Sequence, residues 1–423
     1  MRKISKMDNP VAKNAGWIIG GKIMQMAING LVGLTTARYL GPSHYGLMGY
    51  AGAYTSFFAS ICNLGINSVI VKALIDHPEQ EGMILGSTLG MRAVSSTLSA
   101  LTIIGISLVV DAGETTTQMV VAFHALSVVL QIFEVFRYWF QAKLQSRITA
   151  MVTLAACALT SVYKIILLVR GAPVTCFALA VSLEHCCAGL FFLACYRKNK
   201  GKSLAFSRAW GISLLRKSGH FILPGLVSAI YAQTDKFMLK RMISDAQIGY
   251  YSTAISLCGA WCFVLSAIID SFYPPIMESF RRSKEEFDKK NKQLYAIIIY
   301  VSAGVSLLFT VFGEDIIRVL YGEAYLPAAA PLRVLTWYTA FSYLGVARNA
   351  WVVCMNRQKR LKYIYTAAAV SNVILNFVFI PRWGAAGTAA ASLVTQMVTI
   401  IAPLFIRDMR ENTVMMWKAM LFR

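Results

Sequence analysis

Between Ala15 and Arg407 the chain consists of about a dozen apolar segments, each long enough to cross a lipid bilayer. Hydrophobic residues make up 57% of the sequence and charged residues 14%, so a water-soluble domain would have no place for its apolar surface. The segments do not alternate with period two, and helices satisfy their own backbone hydrogen bonds in lipid. The sequence therefore predicts an all-α polytopic membrane protein with about 12 transmembrane helices.

The longest polar connection, from Arg197 to about Lys217, separates six apolar segments from six others. We therefore expect two six-helix lobes, formed by residues 1–210 and 211–423. The predicted spans are 16–39, 47–74, 83–110, 118–142, 148–169, 173–196, 219–243, 248–275, 293–313, 331–355, 361–381 and 386–407.

The two halves also share a short sequence echo. Tyr45-Gly46 precedes Ala51 after the first span, and Ile248-Gly249 precedes Ala254 after the seventh at the same spacing. Internal repeats of helix bundles are typical of alternating-access transporters, whose halves rock around a central site. The echo is short, but it agrees with a division into two repeats.

The formal net charge of +21 arises mostly from basic residues in alternate connections. By the positive-inside rule these connections and both termini are cytoplasmic, which requires an even number of spans. Topology and anionic lipid headgroups explain the charge, so no nucleic-acid partner is expected. The basic stretches lie at 2–13, 143–147, 197–217, 281–292, 357–362 and 407–423.

Short loops and scattered cysteines exclude several other chemistries. The nine cysteines lie in apolar segments without a C-x-x-C spacing, so we interpret them as packing residues and expect no metal site. No Gly-rich phosphate-binding loop of the P-loop type is present, and every loop is too short for a soluble catalytic domain. We expect a non-enzymatic protein without a cofactor.

Four cations lie inside apolar segments with no carboxylate three or four residues away: Lys22, Arg92, Lys164 and Arg348. A charge at the centre of a membrane helix costs about 2.5–3.5 kcal/mol on insertion scales, so such residues usually face a cavity. Arginine offers several planar donors for phosphate or carboxylate. We expect these four residues to line a cationic cavity that binds an anionic substrate.

Three intramembrane carboxylates, Asp235, Glu134 and Asp270, are candidates for carrying a coupling proton or sodium ion. Glu134 and Arg137 are three residues apart, so a simple local ion pair is an equally good interpretation. The intramembrane histidines His124, His185 and His220 either relay protons or bond to a neighbouring helix.

Several motifs together resemble one family: Ala37–Gly46 (ARYLGPSHYG), Leu64–Ile66, Thr234–Met238 (TDKFM), Ile248–Ala254, Leu320–Tyr325, and Asn372, Asn376, Ile380-Pro381, Gly384 and Ala385–Gly387. The chain resembles the polysaccharide-exporter group of the multidrug/oligosaccharidyl-lipid/polysaccharide (MOP) flippase superfamily. This resemblance implies two lobes forming a V around a central cavity. It also implies flipping of a polyprenyl-pyrophosphate-linked oligosaccharide to the outer leaflet of a bacterial inner membrane. Asp235 falls within one of the matching motifs.

The expected substrate is therefore a lipid-linked O-antigen, capsule or exopolysaccharide repeat unit, moved by alternating access. Expected partners are membrane lipids, and a polysaccharide polymerase and glycosyltransferases of the same pathway, with a monomer as the simplest assembly. Three alternatives stay open. They are a cation-coupled multidrug exporter, a membrane-embedded polymerase or ligase, and an inactive scaffold; the excess of intramembrane cations argues against the first, and short outer loops argue against the second.

Overall fold

The computed structural model describes residues 10–420, apart from the side chains of residues 10–15, 60 and 68 and of several residues between 220 and 231, including His220. The outer parts of the first and last basic stretches lie outside this range. Regular structure within it is helical. The helices are α1 (Pro10–Cys62), α2 (Asn67–Asp76), α3 (Glu81–Val110), α4 (Thr115–Leu130), α5 (Val135–Ala142), α6 (Ser146–Val169), α7 (Val174–Lys198), α8 (Arg208–Met242), α9 (Asp245–Arg282), α10 (Lys284–Tyr321), α11 (Ala329–Cys354), α12 (Gln358–Ile401) and α13 (Arg410–Met420).

Eight helical segments of the described chain are long and apolar enough to cross a membrane. Two of them, α1 and α12, each consist of two helices joined at a non-helical glycine, Gly41 and Gly384 respectively. Helices α8 and α11, of 35 and 26 residues, are also long enough to span. With α2 and α5 as continuations of the helices before them, this makes twelve passes in the described residues. The prediction of an all-α polytopic protein with about twelve membrane helices is confirmed.

The described residues form two compact units, in each of which the helices pack mainly against one another. The first contains the residues up to Leu40 together with Leu47–Gln233, and the second contains Gly41–Gly46 together with the residues from Thr234 onward. The sequence places the division at 210/211, whereas the packing divides the chain after Gln233. The start of α8 belongs to the first unit because Leu214 is fully buried in that unit's apolar core.

Each unit has its own apolar core. The first is built around aromatic side chains, including Phe136, Trp139 and Phe192, each at most 1% exposed. The second is built around Tyr295 and Trp351 with aliphatic neighbours. Because lipid tails are as apolar as leucine, such cores hold membrane helices together by close packing rather than by removal from water.

The two glycines of the sequence echo meet at a close helix crossing inside the second unit. A Cβ atom on Gly46 would lie 1.9 Å from the backbone oxygen of Asp245 and 2.7 Å from the nitrogen of Gly249. A Cβ atom on Gly249 would lie 2.1 Å from the backbone oxygen of Pro42. Both positions require glycine because the backbones themselves touch, so the echo corresponds to a contact that a side chain would prevent.

Candidate functional site

The first unit contains a charged cavity of about 510 Å³, lined by residues of α1, α5, α6, α7 and the 3₁₀ turn Gln131–Glu134. Its charged or titratable lining residues are Lys22, Glu134, Arg137, Glu184 and His185. Amide and hydroxyl side chains, among them Gln25, Gln141 and Thr149, complete the polar part of the wall. We refer to this space as the charged cavity. It offers cations for an anionic group and uncharged donors and acceptors for hydroxyl groups.

Glu134 is paired with α7 rather than with its own helix. Its Oε1 lies 3.1 Å from Nδ1 of His185, whose Nε2 lies 3.3 Å from the side-chain amide nitrogen of Gln131. The amide nitrogen only donates, so His185 Nε2 accepts and Nδ1 carries the proton that it donates to Glu134. Arg137 and Arg92 are close enough to interact electrostatically with the same carboxylate. Glu134 therefore acts as a negative counter-charge for both Arg92 and Arg137.

Of the four predicted substrate cations, two belong to this region. Lys22 lines the charged cavity. Arg92 is 2% exposed, donates from Nη2 to Asn63 Oδ1, and interacts electrostatically with Glu134. Its Nε and Nη1 have no hydrogen-bond partner within the described chain. Arg92 thus adds positive charge near the cavity while its guanidinium is held inside the helix bundle.

The other two predicted cations lie elsewhere. Lys164, on α6, is half-buried and interacts electrostatically with His124 and Cys157. Arg348 lies in the second unit, is fully buried, and donates from Nη1 to the backbone oxygen of Thr399 at 2.8 Å. Three of the four cations therefore belong to the first unit and Arg348 belongs to the second. Their joint role in holding one substrate stays a prediction.

The second unit contains a buried carboxylate bound only by neutral groups. Asp235 on α8 is 7% exposed. Its Oδ2 accepts from the hydroxyls of Tyr251 at 2.6 Å and Ser392 at 2.9 Å, and its Oδ1 accepts from Asn376 Nδ2 at 2.7 Å. The same Asn376 nitrogen lies 3.1 Å from Asn372 Oδ1. We call these five residues the Asp235 network.

A break in α12 brings the members of this network together. Gly384 has φ 53° and ψ −128°, a left-handed conformation that favours glycine, and it separates Asn372 and Asn376 from Ser392. The backbone nitrogen of Ala385, freed by the break, donates to Gln247 Oε1 at 2.8 Å. Because this donor is satisfied, the interruption is stable inside the bundle, and both halves of α12 present polar side chains to Asp235.

Asp235 forms no salt bridge with any described residue, although Lys236, the next residue in sequence, interacts with it electrostatically. Its bonding partners are all uncharged, and Asn376 Oδ1 is a buried acceptor without a donor in the described chain. Carboxylate, amide and hydroxyl oxygens are the groups that hard cations prefer, and a carboxylate held by neutral donors can also take up a proton. These residues fit a proton or a small cation such as sodium.

The remaining carboxylate candidate, Asp270, is exposed on α9. An exposed side chain has no enclosed site around it, which distinguishes Asp270 from the buried Asp235. Its role in ion coupling stays a prediction, as do those of Asp235 and Glu134.

Comparisons with known proteins agree with this architecture. The family model for "Polysaccharide biosynthesis protein" matches residues 11–280, well over half of the chain. The chain belongs to this family.

A candidate O-antigen transporter of Salmonella typhimurium is 29% identical over 112 residues, which cover 26% of each protein. The capsular polysaccharide biosynthesis protein CapF of Staphylococcus aureus is 20% identical over 168 residues, which cover 40% of this chain and 42% of CapF. The matched regions thus span less than half of either relative.

Solved structures show the same fold over nearly the whole chain. The lipid II flippase MurJ, in an inward closed conformation, matches with a TM-score of 0.73 at 13% identity, covering 97% of this chain and 91% of MurJ. An inward-facing multidrug resistance transporter of the MATE family matches with a TM-score of 0.69 at 14% identity, covering 94% and 99%. The family match together with this shared fold confirms the predicted resemblance, and the protein is a multi-pass membrane protein.

Sequence reasoning missed several members of both sites. The sequence presents Arg137 only as a partner of Glu134, yet it lines the charged cavity with Lys22. The partners of Asp235 on α9 and α12 lie 16, 141 and 157 residues away from it along the chain. One signal for them exists in the sequence: Asn372 and Asn376 stand four residues apart, on one face of an apolar helix.

Proposed function

We propose that this protein is a flippase that moves a polyprenyl-pyrophosphate-linked oligosaccharide from the cytoplasmic to the outer leaflet of a bacterial inner membrane. The observation that carries the proposal is the charged cavity, which places Lys22 and Arg137 in one space among membrane helices. Family membership and the candidate O-antigen transporter and CapF relatives support a role in polysaccharide export. The substrate would be an O-antigen, capsule or exopolysaccharide repeat unit.

The composition of the charged cavity suits such a head group. The pyrophosphate would bind Lys22 and Arg137, because an ammonium and a planar guanidinium supply several charge-assisted hydrogen bonds to phosphate oxygens. Sugar hydroxyls both donate and accept, which matches the amides of Gln25 and Gln141 and the hydroxyl of Thr149. The two carboxylates of the lining, Glu134 and Glu184, balance the two cations, so the bound anion can still be released.

Energy for the cycle would come from an ion gradient through the Asp235 network. Asp235, with Asn372, Asn376, Tyr251 and Ser392, would hold the coupling proton or sodium ion. Occupation would neutralise a buried charge that has only neutral partners in the described chain, so filled and empty states differ strongly in electrostatic energy. Such a difference is what a transporter needs to link ion binding to a change of conformation.

Deletion of the gene in the source bacterium tests the proposal. Lipid-linked oligosaccharide should accumulate on the cytoplasmic leaflet, and wild-type protein should restore its export. The double variant Lys22→Gln/Arg137→Gln should not restore it. The matched control is Lys72→Gln/Arg170→Gln, which removes the same two charge types from other positions of the first unit, outside the cavity lining, and should restore export fully.

Other outcomes would point to other functions. Unaltered lipid-linked intermediates together with changed drug sensitivity would support a multidrug exporter. Accumulation of unpolymerised repeat units on the outer leaflet would support a polymerase or ligase. Either result would overturn the flippase proposal.

A further inference from the structure

The last helix, α13, packs against α10 inside the second unit through specific polar contacts. Asn412 Nδ2 donates to the hydroxyl of Tyr295 at 2.7 Å, and both residues are fully buried. The hydroxyl of Tyr300 donates to the backbone oxygen of Met420 at 2.9 Å. These bonds fix the helix at two points along its length. The side of α13 that faces away from α10 is therefore held in a fixed orientation.

A cleft of about 410 Å³ lies where α10, α13 and the segment before α13 meet. We call it the α10–α13 cleft. Four cations line it: Lys292, Arg407, Arg410 and Lys418. None of the four forms a salt bridge with a carboxylate in the described part of the chain. Their positive charge is therefore concentrated in one place, and its contacts with carboxylates are longer-range ones, from Lys292 to Asp288 and from Arg407 to Asp408.

The two acidic residues of the cleft do not balance this charge. Glu411 is engaged by Lys284, whose ammonium lies 2.7 Å from its Oε1. Asp288 is the other carboxylate in the lining. The lining therefore has an excess of positive charge, and an anion entering it would meet several cationic donors that form no salt bridge within the described chain.

Helix α13 also carries exposed apolar side chains. Val414, which lines the cleft, is 38% exposed, and Trp417 and Met420 on the same helix are 49% and 55% exposed. Tryptophan and aliphatic residues beside lysine and arginine are typical of helices that lie in the headgroup region of a bilayer. Helix α13 also follows directly after the last membrane-spanning helix and a 3₁₀ turn, Ala402–Phe405.

We propose that the α10–α13 cleft binds the headgroup phosphate of an anionic phospholipid. Arg407 and Arg410 supply planar donors to the phosphate oxygens, and Lys418 and Lys292 supply further positive charge. Trp417 and the other exposed apolar residues of α13 contact the acyl-chain side of the same lipid. The cations of the cleft would attract a lipid headgroup and a free phosphate ion alike. The exposed apolar residues favour the lipid, because a phosphate ion has no apolar part.

Native mass spectrometry of the full chain, released from nanodiscs that contain phosphatidylcholine and phosphatidylglycerol, tests this site. Wild-type protein should retain phosphatidylglycerol. The triple variant Arg407→Gln/Arg410→Gln/Lys418→Gln should retain about a hundredfold less, because each of the three cations near an anionic lipid contributes roughly fivefold in binding. The matched control, Arg197→Gln/Lys198→Gln/Arg208→Gln, removes three exposed cations from the first unit and should bind like wild type.

Two results would overturn the proposal. Equal loss in the triple variant and its control would mean a general attraction by net charge instead of a site. Displacement of the lipid by inorganic phosphate or pyrophosphate would mean a simple anion site. A thermal unfolding measurement on both variants checks that they fold, and Trp417→Ala, which keeps every charge, should weaken phosphatidylglycerol retention by itself. Retention unchanged in Trp417→Ala would contradict the lipid assignment.

Discussion

The charged cavity of the first unit and the Asp235 network of the second unit balance their charges in opposite ways. In the cavity, Lys22 and Arg137 share their surroundings with Glu134, Glu184 and His185, and the space is large enough for a bulky group. In the network, one buried carboxylate is held by uncharged donors alone, through three short hydrogen bonds that enclose it.

The two arrangements of charge suit two different tasks within one fold. A mixed set of charges around an open space lets a large anion bind and leave, because its charge is only partly compensated. A single buried charge with neutral partners responds strongly to one proton or one small cation, because the interior does not screen it. We therefore propose that the cavity binds substrate and that the network couples transport to an ion.

The largest effect is expected from Asp235→Asn. The substitution keeps the shape of the side chain and removes the charge, so gradient-driven flipping should fall by about a hundredfold, which corresponds to roughly 3 kcal/mol of ion-binding free energy. The matched control is Asp270→Asn, an exposed carboxylate of the same unit. Measuring gradient-driven flipping in Asp235→Asn and in Asp270→Asn shows which of the two carboxylates couples transport to the ion. Loss of transport in Asp270→Asn with activity kept in Asp235→Asn would assign coupling to the other carboxylate.

Substitutions of the cavity cations should change substrate affinity instead. We expect Lys22→Gln or Arg137→Gln to raise the half-saturating substrate concentration about tenfold each, the scale of one charge-assisted hydrogen bond. Arg348→Gln should leave that concentration unchanged, because the Arg348 side chain is fully buried in the second unit. Flipping rates measured against substrate concentration give the values. An effect of Arg348 as large as that of Lys22 would restore the four-cation site predicted from the sequence.

Glu134→Gln should have a smaller effect of the opposite sign. The glutamine oxygen can still accept the hydrogen bond from His185, while the counter-charge near Arg92 and Arg137 is removed. We expect an affinity for the pyrophosphate-linked substrate about two- to fivefold tighter, with slower release. Binding and single-turnover release measurements check this prediction. Weaker binding would mean that the carboxylate itself contacts the substrate.

The smallest effect is expected at a carboxylate outside the membrane-spanning helices. Hydrogen bonding from Arg360, at 2.8 Å, and the nearby guanidinium of Arg357 lower the pKa of Asp408 below its usual value. A lowered pKa stabilises the folded state above the unfolded-state pKa, and this stabilisation disappears as the pH falls through the folded-state pKa. Thermal unfolding should therefore show Asp408→Asn slightly less stable than wild type at neutral pH and equal to it in acid. A difference that persists in acid would show that charge is not the cause.

The fold was predictable because membrane helices are encoded locally. Length and hydropathy mark each span, and basic connections mark their order. The predicted spans 361–381 and 386–407 already place a boundary at Gly384, but hydropathy does not show that the break brings polar side chains from both halves of α12 to Asp235. The close crossing of Gly46 and Gly249 was visible only as a sequence echo, because spacing along a chain does not reveal which backbones touch.

The sites were predictable only in part. Asp235 can be identified as a candidate from the sequence because inserting a carboxylate into an apolar membrane helix costs free energy. Its partner Ser392 lies 157 residues away, and no local pattern connects the two. Likewise, Lys22 and Arg348 look alike in sequence, as isolated cations in apolar segments, but one lines a cavity and the other is fully buried. Which helix face points to a cavity depends on packing, and hydropathy does not encode it.

The most direct test of the division of tasks is flipping by the purified protein in proteoliposomes, with a fluorescent polyprenyl-pyrophosphate-linked oligosaccharide and an imposed proton or sodium gradient. We predict transfer between leaflets that depends on the gradient in wild type, loses that dependence in Asp235→Asn, and keeps it with weaker substrate affinity in Lys22→Gln. Transfer that is absent in wild type, or that depends on the gradient equally in wild type and Asp235→Asn, would contradict the separate roles of the cavity and the network.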